Sequence, residues 1–401
     1  MKEIIVLGGG FAGVSALLSL KNKLSEDEAN ITLIDKNSYH LFIPSIYEVA
    51  TKEEPKKNIA IPFADMFSNK VKHVKGVVSN IDTQNHLIHL KDNTNYSYDY
   101  LIIALGSESE FYGIGGLEEH SLPLKDLEDA VKIQKTIEEN YHAKVPNNKE
   151  LSIVIGGGGL SGTEFAAELV QYKEHLAKHH EFPKDLVKIT IIQGSNRLLK
   201  DLDEKVSEIA KKRLENEGVE VVLETHIKKV EKGEIETDTG KKYKYDVFIW
   251  TGGVRASSVL EESNLKTNGK GQLPVNDKLQ VNGFNNIFAV GDVAEVADPI
   301  TNKPAPGVAQ VAEDEGKIAA ENIYRSLKNQ ELISYKFFHA GYIVPLKGRF
   351  SIVELMRFRI VGYYGWVIQQ FVFLYYLLRI LPIFKALRRW NKFELYLMKL
   401  S

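Results

Sequence analysis

The sequence predicts an α/β protein of two duplicated β-α-β units, one domain interrupting the other, followed by a C-terminal region of different character. Three observations carry this. Gly8-Gly9-Gly10-Phe11-Ala12-Gly13 follows the apolar run Ile4-Ile5-Val6-Leu7 and opens a helix-like stretch. Gly157-Gly158-Gly159-Leu160-Ser161-Gly162 follows Ile153-Val154-Ile155 and does the same. A late buried strand, Asn286 to Val290, ends in Gly291-Asp292. The simplest topology returns that strand to the first domain, so the second domain is an insertion. No other repeat is visible, which favours duplicated folds over a solenoid.

The elements follow in order. Residues 1–40 read as strand 3–7, glycine turn, helix about 11–24 and strand 31–35. The last strand ends in Asp35, 22 residues after Gly13. In G-x-G-x-x-G one glycine turns the chain, another admits a pyrophosphate, and the third packs helix on strand. The helix N-terminus adds partial positive charge and free N–H groups. Asp35 then stands where a carboxylate takes ribose hydroxyls. Residues 71–78 and 86–90 alternate as strands, and Tyr98 to Ala104 is a buried strand running into Gly106. Residues 113–150 read as a connection plus one helix. The second unit spans about 151–193, and Tyr245 to Trp250 is a further buried strand. Both units are therefore Rossmann-like dinucleotide sites. Two such sites in one chain usually mean a nicotinamide passing a hydride to a flavin.

Composition narrows the chemistry. At 401 residues the chain has room for two or three domains. Its net charge of −2 implies no nucleic-acid partner. From Lys347 onward there are 10 basic and 2 acidic residues, a local +8 that leaves −10 for the rest. A basic tail on an acidic body is a membrane-surface or nucleic-acid signal. The absence of cysteine excludes disulfides, thiolate metal sites and any cysteine relay. No H-E-x-x-H or nucleophile motif appears, so neither a metal centre nor hydrolase chemistry is expected. His179-His180 reads as a solvated pair. No leader segment is read before the first strand, which places the catalytic body where it is made.

The chain resembles the two-dinucleotide-binding-domain flavoproteins, and within them the type II NADH:quinone oxidoreductases. The stretches that carry this are GGGFAG at 8–13, YHLFIPSIYEVAT at 39–51, YDYLIIALGS at 98–107, GGGGLSGTEFAAEL at 156–169, WTGGVRA at 250–256, NIFAVGDVA at 286–294 and APGVAQ at 305–310. The resemblance implies a discontinuous FAD domain at 1–112 and 280–345, an NAD(P)H domain at 113–279, and a membrane-associated region at 346–401. It implies a non-covalent FAD on Gly8, Gly10, Phe11, Ala12, Gly13, Asp35, Lys36, Val78, Ala104, Gly106 and Asp292. It places the nicotinamide dinucleotide on Gly157, Gly159, Gly162, Gln193 and Gly252. Glu164, in the first turn of the second glycine helix, corresponds to a family glutamate at the nicotinamide–flavin contact. Ala309 and Gln310 match a quinone-side Ala-Gln pair.

Two positions depart from the family pattern. Asp314 stands where a second glutamine is usual. Gln193 stands where the second unit should end in an acid, which removes the charge that repels a 2′-phosphate. Use of NADPH beside NADH is therefore expected, with Asn196 and Arg197 close enough in sequence to approach the phosphate. Quinone reduction without proton pumping is the implied activity. A ferredoxin-type reductase with a protein acceptor and a nucleotide-binding sensor or assembly protein stay open as alternatives.

The tail has two parts. Residues 360–378 form 19 uncharged positions, close to the length of a membrane span. Gln369-Gln370 at the centre, two glycines and four tyrosines argue against hydrocarbon. Beyond Pro382 the pattern is amphipathic. Ile380, Phe384, Leu387, Trp390 and Leu397 read as one face; Lys385, Arg388, Lys392 and Lys399 read as another. A basic, tryptophan-bearing amphipathic helix lies in the headgroup plane. Residues 360–401 are thus expected to attach the protein peripherally to the cytoplasmic face of the cell membrane. A helix pair packed on the body or on a twin subunit is the other reading, and a homodimer stays open.

Overall fold

The computed structural model describes residues 1–51, 58–67, 69–297, 305–338, 340–356 and 358–400, with side chains as far as Lys392 among the tail residues. Two five-stranded parallel sheets organise it. The first runs, edge to edge, Ile287–Ala289, Tyr100–Ile103, Lys2–Leu7, Ala29–Asp35, Val71–Lys75. The second runs Leu122–Pro123, Val247–Trp250, Leu151–Gly156, Val187–Ile192, Val219–Val222. Each central strand is apolar because both faces of its sheet are covered. Helices pack on one face. On the other, Ile5, Leu7 and Ile34 meet Val78, Ile81, Ile88 and Leu90, while Val154, Ile192 and Phe248 meet Ile227, Val230 and Ile235. Each also carries a glycine loop at its C-terminal edge, where ligands of open α/β sheets bind. The late strand does pair with Tyr100–Ile103, so the first sheet closes only after the second unit is complete. The chain passes between the sheets twice, and the segments Ser107–Ser109 and Val254–Ala256 pair antiparallel.

Three local readings need correction. The strand expected over 71–78 stops at Lys75, because Gly76 turns the chain against Leu90 and its N–H bonds the Asp35 carbonyl. Val78 then begins a separate antiparallel sheet of Val78–Asp82, Leu87–Leu90 and Asn95–Ser97. The connection over 113–150 holds more than one helix. Leu117–His120 is a short helix, and Leu122–Pro123 supplies the edge strand of the second sheet. The long helix Leu127–Lys144 then starts on an Asp126/Asp129 capping box.

The uncharged run 360–378 is not one element. Gly341–Pro345, Ser351–Leu355 and Phe358–Gly362 form an antiparallel sheet, and the helix Tyr363–Ile380 begins only after Gly362, at φ +89°. Gly365 lets that helix start hard against the sheet: a Cβ there would lie 2.2 Å from the Ser351 carbonyl oxygen. The central glutamines face protein. Gln369 accepts the Ser351 hydroxyl at 2.5 Å, and Gln370 is buried. Among the described residues no helix is long and apolar enough to cross a membrane.

The C-terminal region is also fastened to the second unit. Lys347 bridges Glu174 and Glu217, and the Arg213 guanidinium bonds the Leu346 carbonyl while stacking 4.0 Å over Phe350. The final helix, Ile383–Leu400, rests on the segment 58–66 through Arg389 to the Asn58 and Ala60 carbonyls and Lys385 to Asp65. The amphipathic face read from the sequence is split by this packing. Ile380 and Ala386 are buried and Trp390 is partly covered. Phe384 is 84 % exposed, with Ile383 and Leu387 exposed beside it.

Candidate functional site

The two glycine loops are built alike, contact by contact. Gly8 and Gly157 take φ +95° and +110°, conformations that side chains disfavour. A Cβ on Gly8 would lie 2.3 Å from the Ala104 carbonyl oxygen; one on Gly157 would lie 2.6 Å from the Gly252 Cα. Ala104 and Gly252 are thus the walls behind the two loops. A Cβ on Gly13 would meet the Gly8 carbonyl oxygen at 1.9 Å, and one on Gly162 would meet that of Gly157 at the same distance. These are the helix-on-strand contacts expected of the third glycine.

The residue at the end of the second strand holds each loop. The Gly9 N–H donates to Asp35 at 2.6 Å, and the Gly158 N–H donates to the Gln193 side-chain oxygen at 2.7 Å. Asp35 also accepts from the Asn37 N–H at 2.6 Å. Burial raises its carboxyl above the ordinary aspartate range, and these two bonds oppose the rise. The Gln193 amide donates to Ser195 at 2.5 Å. One nitrogen of the Arg197 guanidinium, Nη2, donates to the Lys200 and Leu202 carbonyls.

Both loops fit a dinucleotide pyrophosphate. Gly10 and Gly159 have no atom within 4 Å of where a Cβ would project. The helices Phe11–Lys23 and Leu160–His180 have neither a side-chain cap nor an acid in the first turn. Their first N–H groups are therefore offered to an anion rather than to the protein. Glu164 lies in the second turn of its helix, not the first.

Around the first loop, Phe11 stands edge-on to His40 with ring centroids 4.9 Å apart. His40 is fully buried; its Nδ1 meets the Gly9 carbonyl at 2.9 Å and its Nε2 meets the Tyr376 hydroxyl at 2.7 Å. A carbonyl only accepts, so Nδ1 carries the proton and Tyr376 donates to Nε2. Burial lowers the imidazole to about 4, which keeps it neutral. Ala12 touches Gly316 through its carbonyl. Lys36 pairs at the surface with Asp126 at 3.2 Å. Gly106 takes φ +70° with open space beside it. Val78 packs its side chain into the core, leaving only its backbone to a ligand. Asp292 accepts from the Ser107 hydroxyl, which accepts in turn from Lys125 at 2.6 Å.

Glu164 and the segment Ile46–Thr51 join the two units. Tyr47 is buried there, facing the charges of Glu164, Glu48 and Glu168. Loss of water around Glu164, and then the charge of Glu168, push its carboxyl well above the usual range. Ala309 and Gln310 open the helix Ala309–Leu327. Both ends of the Gln310 amide are engaged: Nε2 donates to the Phe338 carbonyl at 3.3 Å, and Oε1 accepts from the Ala340 N–H at 3.1 Å. Asp314, in place of the second glutamine, pairs with Lys317 at 2.7 Å.

Several neighbours were not legible as site residues. Ser107 directly follows Gly106, and Tyr47-Glu48 belong to the stretch at 39–51; in both cases the signal was present and was not read. Tyr376 and Lys125 had no such signal. The spacing His175-x-x-x-His179 was also passed over. Those rings stack 6.0 Å apart, and His179, His180 and His142 follow in contact. Among the described residues no group of three or more His, Asp or Glu could hold a metal ion.

Comparison with known proteins agrees with this architecture. Residues 2–316 match the pyridine nucleotide-disulphide oxidoreductase family. The chain is 30 % identical over 353 residues to the type II NADH:quinone oxidoreductase of Staphylococcus haemolyticus, covering 86 % of this chain and 87 % of that protein. It is 31 % identical to that of Staphylococcus epidermidis, with the same coverage. Its fold superposes on Plasmodium falciparum NDH2, solved in complex with NADH, with a TM-score of 0.85 over 98 % of both chains at 19 % identity. The chain belongs to the type II NADH:quinone oxidoreductases, FAD-dependent enzymes within the pyridine nucleotide-disulphide oxidoreductase family.

Proposed function

We propose that this chain oxidises NADH, and NADPH beside it, and passes two electrons to a membrane quinone without pumping protons. FAD at residues 8–13 and the nicotinamide dinucleotide at residues 157–162 are the arrangement behind this. The observation that supports it most is the doubled cradle, each copy built around a loop glycine with open space where a Cβ would stand. A bound flavin supplies the two-electron chemistry. The residues do the rest: Asp35 and Gln193 fix the loops, Asp292 reaches the flavin's ribitol chain, and Glu164 borders the contact between the rings. Holding the two rings in near contact is the main source of rate enhancement. With no cysteine, disulfide reduction and cysteine-held sulfur are not alternatives. Under anaerobic conditions NADH should bleach the yellow absorbance, and a soluble quinone should restore it. A bleached protein that no quinone reoxidises would overturn the acceptor assignment.

NADPH use follows from the neutral side chain of Gln193. A carboxylate there would sit against the 2′-phosphate. Gln193→Glu should therefore lower kcat/KM for NADPH relative to NADH by about tenfold, the size of a like-charge contact near a protein surface. An unchanged ratio contradicts the reading.

Attachment to the cytoplasmic leaflet is supported by apolar side chains left exposed on the last two helices. Phe371, Tyr375 and Leu378 are exposed on one, and Ile383, Phe384 and Leu387 on the other. Because Ile380 and Ala386 are buried, deleting residues 380–401 would strip the body as well as the anchor. The double substitution Phe384→Asp, Leu387→Asp is the cleaner test. It should weaken binding to anionic vesicles by about a hundredfold or more, from the burial two such side chains lose, and leave the flavin bound. Undiminished sedimentation with vesicles would place the anchor elsewhere.

A further inference from the structure

The helix Ala309–Leu327 buries two carboxyls, and the protein treats them differently. Glu313 is ion-paired with Arg379 at 2.6 Å. Glu315, 2 % exposed, bonds a backbone amide instead: its Oε2 accepts the Gly291 N–H at 2.6 Å. Gly291 has φ +70° and opens the turn that carries Asp292. The helix itself is locked to the first glycine unit. A Cβ on Gly316 would lie 2.1 Å from the Ala12 carbonyl oxygen, and the Ser15 hydroxyl donates to the Glu313 carbonyl at 2.7 Å.

These contacts form a continuous path. It runs from the helix that follows the pyrophosphate loop, through the helix Ala309–Leu327, to the turn bearing Asp292. The Asp292 carboxylate is aimed separately by Ser107, and its carbonyl is held by Gln272 at 3.2 Å. The Gly291 amide is the point at which the turn is joined to this helix. We propose that Glu315 is a positioning residue of the flavin site, clamping the Gly291 amide so that Asp292 and the pyrophosphate loop stay at one fixed separation. This rests on the assignment of FAD to residues 8–13 and Asp292.

The choice of a carboxyl has a second consequence. The groups facing Glu315 are Asp292 on the turn, Asp314 on its own helix, and the Tyr335 hydroxyl, which is buried without a hydrogen-bond partner. Burial first, and then the two aspartates, push Glu315 up to about 8, against the pull of the Gly291 amide. Near neutral pH it is mostly protonated. Its folded-state value lies above the usual carboxyl range, so its contribution to stability is full in acid and is lost as pH rises through about 8. Ionisation adds a negative charge behind Asp292 and disfavours the more negative, reduced flavin. The flavin midpoint potential should therefore fall more steeply with pH as the carboxyl ionises.

The test compares the full-length wild type, Glu315→Gln and Glu315→Leu. Apoprotein is titrated with FAD, and the holoprotein potential is measured from pH 6 to pH 9. Glutamine keeps an acceptor for Gly291 but cannot ionise. It should hold FAD within about twofold of wild type and lose the extra slope around pH 8. Leucine leaves the amide unpaired and should raise the Kd for FAD about tenfold or more. Wild-type FAD affinity in Glu315→Leu, or the same pH slope in Glu315→Gln, overturns the proposal. If Glu315→Leu does not fold, the glutamine potential decides alone. A wild-type chain that binds no FAD would defeat the flavin assignment itself, a different outcome from either of these.

Discussion

Gly13→Ala should give a colourless protein, and Gly162→Ala a yellow one that NADH no longer bleaches. In each case the new methyl would stand 1.9 Å from a loop carbonyl oxygen, and neither the oxygen nor the helix behind it can retreat cheaply. At Gly162 the Thr251 hydroxyl also lies 2.6 Å from the added carbon. Overpacking of this kind costs about 3 kcal/mol or more, and it falls on the loop that must close on the pyrophosphate. That corresponds to a loss of affinity of about a hundredfold or more. FAD per chain after gel filtration reads the first variant, and NADH titration of the flavin absorbance reads the second. Stoichiometric FAD in Gly13→Ala, or unaltered NADH reduction in Gly162→Ala, would contradict the assignment of the two cradles. The two outcomes together also decide which loop takes which nucleotide.

Gln310→Ala should slow reoxidation of the reduced flavin by quinone about tenfold or more while leaving reduction by NADH nearly unchanged, as expected for one lost hydrogen bond to a carbonyl in a dry site. The amide is engaged with the Phe338 carbonyl and the Ala340 N–H, yet its NH2 group carries a second hydrogen free to meet a quinone oxygen. Those same bonds make Gln310 a tie for Phe338 and Ala340. Stopped-flow measurement of both half-reactions separates the roles. A tie that merely holds the fold would depress both rates alike, and equal losses would remove Gln310 from the quinone side.

Most of what was legible in the sequence lies within a single β-α-β unit, with partners no more than 35 positions apart. The glycine loops are the clearest case. A left-handed φ at Gly8 and Gly157 and a missing Cβ at Gly13 and Gly162 are requirements of the backbone itself. Apolar runs of four and three residues before the two loops then favour buried parallel strands. The strand-end residues Asp35 and Gln193 follow from the same local geometry, since each reaches back to its loop's second glycine. Even the insertion of one domain in the other could be read, because the late strand at 286–290 had no partner nearby.

What escaped are contacts whose partners lie far apart in the chain. Tyr376 meets His40 across 336 positions, and Ser107 meets Asp292 across 185. No periodicity encodes such pairs. The tail shows the same limit from another side. Its composition announced an apolar helix, but helical spacing assigns residues to a face without saying what covers that face. Packing against the segment 58–66 turned Ala386 inward and left Phe384 and Leu387 outside. The sequence by itself determined two nucleotide cradles, the order in which they are strung, and a chemistry without cysteine. Only the folded chain brings distant side chains together, as Tyr376 meets His40 and Ser107 meets Asp292. Burial likewise removes water from His40, Glu164 and Glu315 only once the whole chain has closed around them.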